Sequence, residues 1–262
     1  MNALRNPHAT GTGRRLSVLG FVALVVVYLV VLQGLGFLLT RGLDTRYAAP
    51  TSIDELWRSM TVPVGLSVVL VVGVVSFLRW WRPVWTDDRP VRSWLIAVPV
   101  VMVVSILLVT NYGGLASKGA AFTLLLLLSC LFVGFGEELM FRGLGVTVFR
   151  TNGFSEGKVA LWVTVIFGVA HASNLITEGV GAFAQVLATI IAGYFFYLIR
   201  RRTGGILVPA LVHGAWDFSL VSNFVVPGET RLLPTVAILT MIVLTVVVLV
   251  GRKKIEPAPA TV

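Results

Sequence analysis

The sequence predicts an all-α fold: a polytopic transmembrane helical bundle of about eight spans with both termini cytoplasmic. Three observations lead there. Of 262 residues, 56% are hydrophobic and 13% charged, whereas a soluble domain is about a quarter charged. Uncharged apolar runs recur along the chain, and a run of about 18 or more such residues reads as a membrane-spanning helix. The basic residues come in ones to threes at the ends of those runs, where topology signals are found.

The spans are expected at 16–40, 61–79, 93–110, 120–141, 158–174, 181–199, 205–225 and 233–250. The first follows Arg14 and Arg15, is too long for the apolar core of a signal peptide and lacks a clear small-residue cleavage site, so it is expected as a retained helix. With the N-terminus inside, every Arg and Lys falls on a cytoplasmic segment except Arg41, Arg46, Arg58, Lys118 and Arg231. That asymmetry assigns both termini to the cytoplasm. The formal net charge of +9 does not point to nucleic acid, because the cations mark helix ends rather than a phosphate-binding surface.

Four regions follow: 1–15 as a cytoplasmic tail, 16–118 as N-terminal transmembrane helices, 119–225 as a catalytic transmembrane core, and 226–262 as the last helix with a cytoplasmic tail. The first fourteen residues and the "EPAPATV" tail are expected to be disordered. Cys130, the single cysteine, lies in an apolar run and is expected as a buried packing thiol with no disulfide.

Polar residues in the second half break this apolar pattern. "GFGEELMFRG" (134–143) sets Glu137, Glu138 and Arg142 at the end of a long apolar run, although a charge in hydrocarbon is costly and rarely idle. His171 sits in "FGVAHAS", and His213 and Asp217 sit in "VHGAWDF". The pairs Glu138/Arg142, Phe167/His171 and His213/Asp217 are spaced i, i+4, so each pair shares a helical face. Each also has an ordinary reading: glutamates snorkelling from a helix end, a buried ion pair, a packing histidine, a structural imidazole–carboxylate pair.

Taken together, these residues suggest more. The chain has 3 histidines, one in the N-terminal tail and two inside spans, and ionisable groups in membrane bundles face the interior and pair with one another. Counting about 1.5 Å per residue, they reach comparable depths provided that the fourth helix runs on past Arg142 to near Phe149. Carboxylates and imidazoles around one wet cavity suit hydrolysis: a glutamate takes a proton from water, an imidazole orients it, and other polar groups stabilise the oxyanion. The same donors could hold Zn²⁺, although the absence of HExxH excludes a zincin. They could also relay protons in a transporter, but no inverted repeat is evident.

"EELMFR" (Glu137–Arg142) fits E-E-x-x-x-R, "FGVAH" (Phe167–His171) fits F-x-x-x-H, and "HGAWD" (His213–Asp217) fits H-x-x-x-N/D. In this order on separate spans, over about 120–220, they resemble the CPBP (CAAX protease and bacteriocin-processing) family of intramembrane endopeptidases, also called the Abi or CAAX prenyl protease 2-like family. The resemblance implies an intramembrane protease, of glutamate type or a metalloprotease. It would hydrolyse a peptide bond of a membrane-associated peptide or protein, lipidated or bacteriocin-like, in a multi-pass cell-membrane setting. It implies that Glu137 and His171 activate the water, that His213 and Asp217 lie at the oxyanion, and that Glu138, Arg142 and Phe167 shape the site. Should a metal such as Zn²⁺ take part, Glu137, His171, His213 and Asp217 are its candidate ligands; no other cofactor is expected.

The prenyl endopeptidases carry Asn where this chain has Asp217, and an ionised aspartate cannot donate to an oxyanion. Asp217 is therefore protonated, orients His213 or ligates a metal; bacterial members often carry Asp. The expected partners are membrane lipids and a membrane-associated substrate. The Arg-over-Lys, Val/Leu-rich composition suggests a bacterial plasma membrane. The alternatives are a proton-coupled transporter and a catalytically silent membrane binding or immunity protein; the intact set of motif residues argues against loss of activity.

Overall fold

Hydrocarbon offers no water to a backbone amide, so a spanning chain must close its hydrogen bonds within its own helices. The computed structural model describes residues 14–43, 49–175, 179, 182–227 and 233–257. Among these the regular structure is helical, apart from one isolated antiparallel bridge between Thr86 and Gly205. The helices are α1 (Val18–Leu39), α2 (Ile53–Leu78), α3 (Trp81–Trp85), α4 (Ser93–Val109), α5 (Tyr112–Thr151), α6 (Glu156–Ala170), α7 (Ala182–Thr203), α8 (Leu207–Val221) and α9 (Leu233–Lys254). Ser17 caps α1 by accepting the Gly20 N–H, and Asn111 caps α5 by accepting that of Gly114. Arg79, with φ 58°, closes α2 in the left-handed conformation.

The protein is thus an all-α, multi-pass membrane protein. Five helices, α1, α2, α5, α7 and α9, are long and apolar enough to cross a bilayer, whose core takes about 20 residues. The elements expected as the third, fifth and seventh spans are shorter, with 15 residues each in α6 and α8, so eight full spans are not established. The fourth expected span lies within a helix that starts earlier, at Tyr112, and Gly119 (φ 82°, ψ 168°) kinks it just before Ala120. It does not stop at 141: the helix runs on to Thr151 and includes a π-helical stretch, Glu138–Gly145. Nor does His171 lie within a span, since α6 ends at Ala170 and His171 opens a 3₁₀ turn, His171–Asn174.

The disorder expected of residues 1–13 and 258–262 lies outside the described residues, as do Arg5, His8, Arg46 and Arg231. Arg14 and Glu256, expected in disordered tails, are both placed. Arg14 donates to the Phe77 carbonyl at 2.7 Å, and Arg201 holds the Glu256 carboxylate at 2.7 Å.

Two features bring the functional residues together. The first is a backbone-to-backbone crossing of α5 and α8, made of small residues as is usual in membrane bundles. A Cβ on Gly214 would lie 2.7 Å from the Cys130 carbonyl oxygen and 2.8 Å from Leu131 Cα, and one on Gly134 would strike Ala210 and Gly214. Cys130 is buried and free at this crossing, as its apolar surroundings suggested. The second is an ionic cluster at the end of the bundle where arginines gather. Asp87 accepts from Arg150 at 2.9 Å and from Arg200 at 2.8 Å. Burial pushes the Asp87 carboxyl up, but the two guanidiniums outweigh it and hold it below the ordinary aspartate range.

The crossing generates a test. Gly134→Val overfills a contact with no free space, a class of change that costs about 1–3 kcal/mol, so folded yield and Tm in detergent should both fall. A Gly134→Val protein with the parent's melting temperature would show that α5 and α8 do not touch here.

Candidate active site

Glu138 and Arg142 are both fully buried, at 0% side-chain exposure, and pair at 2.8 Å. Charges so buried need further partners. The Arg142 guanidinium lies 4.0 Å over the Phe167 ring and 5.4 Å from that of Phe196, contacts that stabilise a desolvated cation. The oxygen of Glu138 that accepts from Arg142 is also 2.9 Å from His213 Nδ1. A carboxylate there can only accept, so Nδ1 carries the hydrogen and Nε2 points the other way. Phe196 stacks on the His213 ring at 4.4 Å and 18°.

His171 is oriented in a parallel manner. Its Nδ1 donates to the Phe167 carbonyl at 2.9 Å, which leaves a lone pair on Nε2 in the neutral ring. Both Nε2 atoms face one carboxylate oxygen: Glu137 Oε2 is 3.9 Å from His171 Nε2 and 3.7 Å from His213 Nε2. Asp217 Oδ2 is 3.6 Å from His213 Nε2 on the more open side, with 27% of its side chain exposed. These spacings exceed direct hydrogen bonds. Glu137 Oε2 itself is buried and makes no hydrogen bond within the protein.

Beside Glu137 and His171 lies a cleft of about 20 Å³ walled by Tyr28, Leu32, Gln33, Phe141 and Asn174. That volume accommodates one water molecule with polar partners on hand. A larger open depression of about 510 Å³ at the Gly119 kink is lined by Leu115, Leu124, Phe218 and neighbours. None of its lining residues is a carboxylate or an imidazole, so the candidate site is the smaller cleft.

Local sequence explains why these groups converge. The π-helix from Glu138 widens α5 where the carboxylates sit, and such turns concentrate at functional sites. Gly193 lets α7 approach: a Cβ there would lie 3.0 Å from both Arg142 Nη2 and a Phe167 ring carbon. The glycine crossing of α5 and α8 brings His213 beside Glu137 and Glu138.

The structure thus brings Glu137, His171, His213 and Asp217 together and sets Glu138, Arg142 and Phe167 around them. Of the three roles open to Asp217, orienting His213 through Nδ1 is taken by Glu138 instead. Phe196 and Gly193 gave no signal in the sequence, whereas the cleft residue Gln33 could have been picked out as the one amide in apolar α1. The donor chemistry suits zinc, since imidazole and carboxylate are its usual ligands and Glu137 Oε2 is an unbonded buried acceptor. Yet among the described residues no group of three or more His, Cys, Asp or Glu side chains is disposed to hold a metal ion. As placed, these residues do not fit one, and no step is routed through a metal.

A membrane bundle that buries carboxylates and imidazoles around space for a single water has the makings of an intramembrane hydrolase. Residues 119–219 match a family described as type II CAAX prenyl endopeptidase Rce1-like, so this segment is similar to the CPBP family of intramembrane endopeptidases that the motifs resemble. The match runs from the Gly119 kink into α8 and contains all the motif residues, while α1 to α4 and α9 lie outside it. No curated protein and no solved structure matches the chain.

Arg142→Ala leaves Glu138 buried without its cation, and removing one partner of a buried pair costs about 3–5 kcal/mol. Yield of folded protein should fall at least as steeply as any activity. A well-folded, fully active Arg142→Ala protein would mean that the pair sits in water.

Proposed function

We propose that this protein is an endopeptidase that cleaves a membrane-associated peptide or protein within the bilayer, using a water activated by Glu137 and His171. The observation that carries the proposal is the convergence of both histidine Nε2 atoms on Glu137 Oε2, at 3.9 and 3.7 Å, beside a cleft that fits one water. The family match over residues 119–219 supports the same class of reaction.

In this reading Glu137 takes a proton as the water oxygen bonds to the substrate carbonyl carbon, and His171 Nε2 accepts the other water hydrogen to aim the lone pair. The carbonyl π electrons move onto oxygen. His213, protonated on both ring nitrogens between Glu138 and Asp217, turns its Nε2–H towards that oxyanion because Nδ1 is bonded to Glu138, and Asp217 stands beside it. As the C–N bond breaks, Glu137 returns its proton to the departing amine. Glu138, Arg142, Phe167 and Phe196 hold the two imidazoles in place. A low-dielectric surrounding strengthens each of these interactions. The membrane setting suits a lipidated or bacteriocin-like peptide, and the placement of cations suits a bacterial plasma membrane with both termini cytoplasmic.

Glu137→Gln keeps shape and burial but removes the base. Hydrolysis of a panel of lipidated and transmembrane peptides by purified protein should fall by about 10²–10⁴-fold, with Tm little changed. Turnover by Glu137→Gln equal to the parent's would remove Glu137 from the mechanism.

Asp217→Asn separates the remaining roles when activity and bound metal are measured together. If Asp217 is a neutral donor to the oxyanion, the amide keeps a donor at the same place and most activity survives. Stoichiometric zinc in the parent protein, lost together with activity in Asp217→Asn, would overturn the metal-free mechanism.

A further inference from the structure

We infer that Arg200, on α7, is a positioning residue for the catalytic carboxylates: its guanidinium holds the π-helical stretch of α5 in register by bonding the main-chain carbonyl that this stretch leaves over. The inference rests on the activity proposed above for Glu137.

A π-helix that returns to α-helix must leave a carbonyl behind, because hydrogen bonds five residues apart give way to bonds four apart. Here the N–H of Val146 bonds to the carbonyls of Phe141 and Gly143, which steps over the carbonyl of Arg142. A buried carbonyl without a donor is costly. Arg200 Nη1 supplies the donor at 2.6 Å.

The rest of the guanidinium is fully engaged. Nε donates to Asp87 at 2.8 Å, Nη1 also donates to the Val84 carbonyl at 2.8 Å, and Nη2 donates to those of Pro83 and Thr86 at 3.0 and 2.8 Å. Arginine has five N–H donors in a rigid fork, and all are used at a side chain with 0% exposure. Its neighbours turn elsewhere: Arg201 bonds Glu256 and the Arg89 carbonyl, and Arg202 bonds the Ser93 carbonyl. Within a run that reads as a topology signal, one member is therefore diverted to the active-site helix.

Arg142 is consequently gripped twice, its side chain by Glu138 and its carbonyl by Arg200. Without Arg200, the cheapest remedy is for the Val146 N–H to return to the Arg142 carbonyl. Resorbing that extra residue rotates one part of α5 against the other by about 100°. Glu137 and Glu138 then no longer face His171 and His213.

The test compares Arg200→Lys with the matched control Arg201→Lys in the full chain. It measures amide hydrogen exchange over residues 138–151, Tm, and kcat and KM on a peptide that the parent cleaves. Arg200→Lys keeps the charge but not the fork. Exchange around Val146 should rise by about tenfold at a similar Tm. Misplacing the base should lower kcat by up to about a hundredfold with KM nearly unchanged, and Arg201→Lys should do neither. Exchange that is unaltered, or raised equally in every helix, would overturn the inference, as would a rise in KM alone. Arg200→Gln is the second variant; if neither variant folds, Arg200 is a general requirement of the fold and the positioning role is lost. Should the parent cleave no peptide, the proposed activity fails, while the exchange measurement still decides the role of Arg200.

Discussion

The bundle is organised around a single buried oxygen. Glu138 Oε1 accepts from both Arg142 Nη1 and His213 Nδ1, at 2.8 and 2.9 Å. In hydrocarbon each of these groups alone would be strongly disfavoured. Sharing one acceptor makes their burial tolerable, and it ties two positions of α5 to one of α8. The aromatic rings follow from the same need, since Phe167 and Phe196 cover the guanidinium where no further carboxylate reaches it. Because that oxygen fixes the donor nitrogen of His213, it also decides which nitrogen is presented to Glu137.

Close approach of the backbones makes such sharing geometrically possible. Gly134 and Gly214 let α5 and α8 cross in contact, and Gly193 lets α7 close over Arg142. Glycine contributes no apolar burial here; it contributes proximity, which in a membrane is what lets polar groups find one another. At the bundle end, Asp87, Arg150 and Arg200 join the α3 segment to α5 and α7, so α5 is held at both its charged pair and its terminus. α1 completes the cleft from outside the family-matched segment. Gln33 donates to Ser173 Oγ at 3.1 Å and to Asn174 Oδ1 at 2.9 Å, linking the first helix to the turn that carries His171.

The candidate site residues were visible in the sequence because each violates the apolar pattern around it. Glu137, Glu138, Arg142, His171, His213 and Asp217 are ionisable groups in or beside long apolar runs, and an ionisable group in such a place needs a reason. Phe196 and Gly193 violate nothing, being an aromatic and a glycine in an apolar helix, so only contact with His213 and Arg142 gives them meaning. Arg200 was hidden differently: as one of three consecutive arginines at a helix end, it was fully accounted for by topology. The length of α5 was ambiguous for a related reason. "FRGLGVTVFR" after the glutamates reads equally as a helix leaving the membrane or one continuing.

By itself, then, the sequence determined the all-α membrane class, the identity of the ionisable set and its i, i+4 pairings. Those depend on hydrophobicity and helical period, which are local properties of the chain. Only the tertiary structure decided that α5 continues as a π-helix through its charged pair, that Glu138 rather than Asp217 binds His213 Nδ1, and that Arg200 turns inward to the Arg142 carbonyl. Each of those outcomes depends on which donor reaches which acceptor first across packed helices. In a bilayer, where water cannot satisfy the group left over, that competition is settled by the distances between backbones and not by the composition of any one segment.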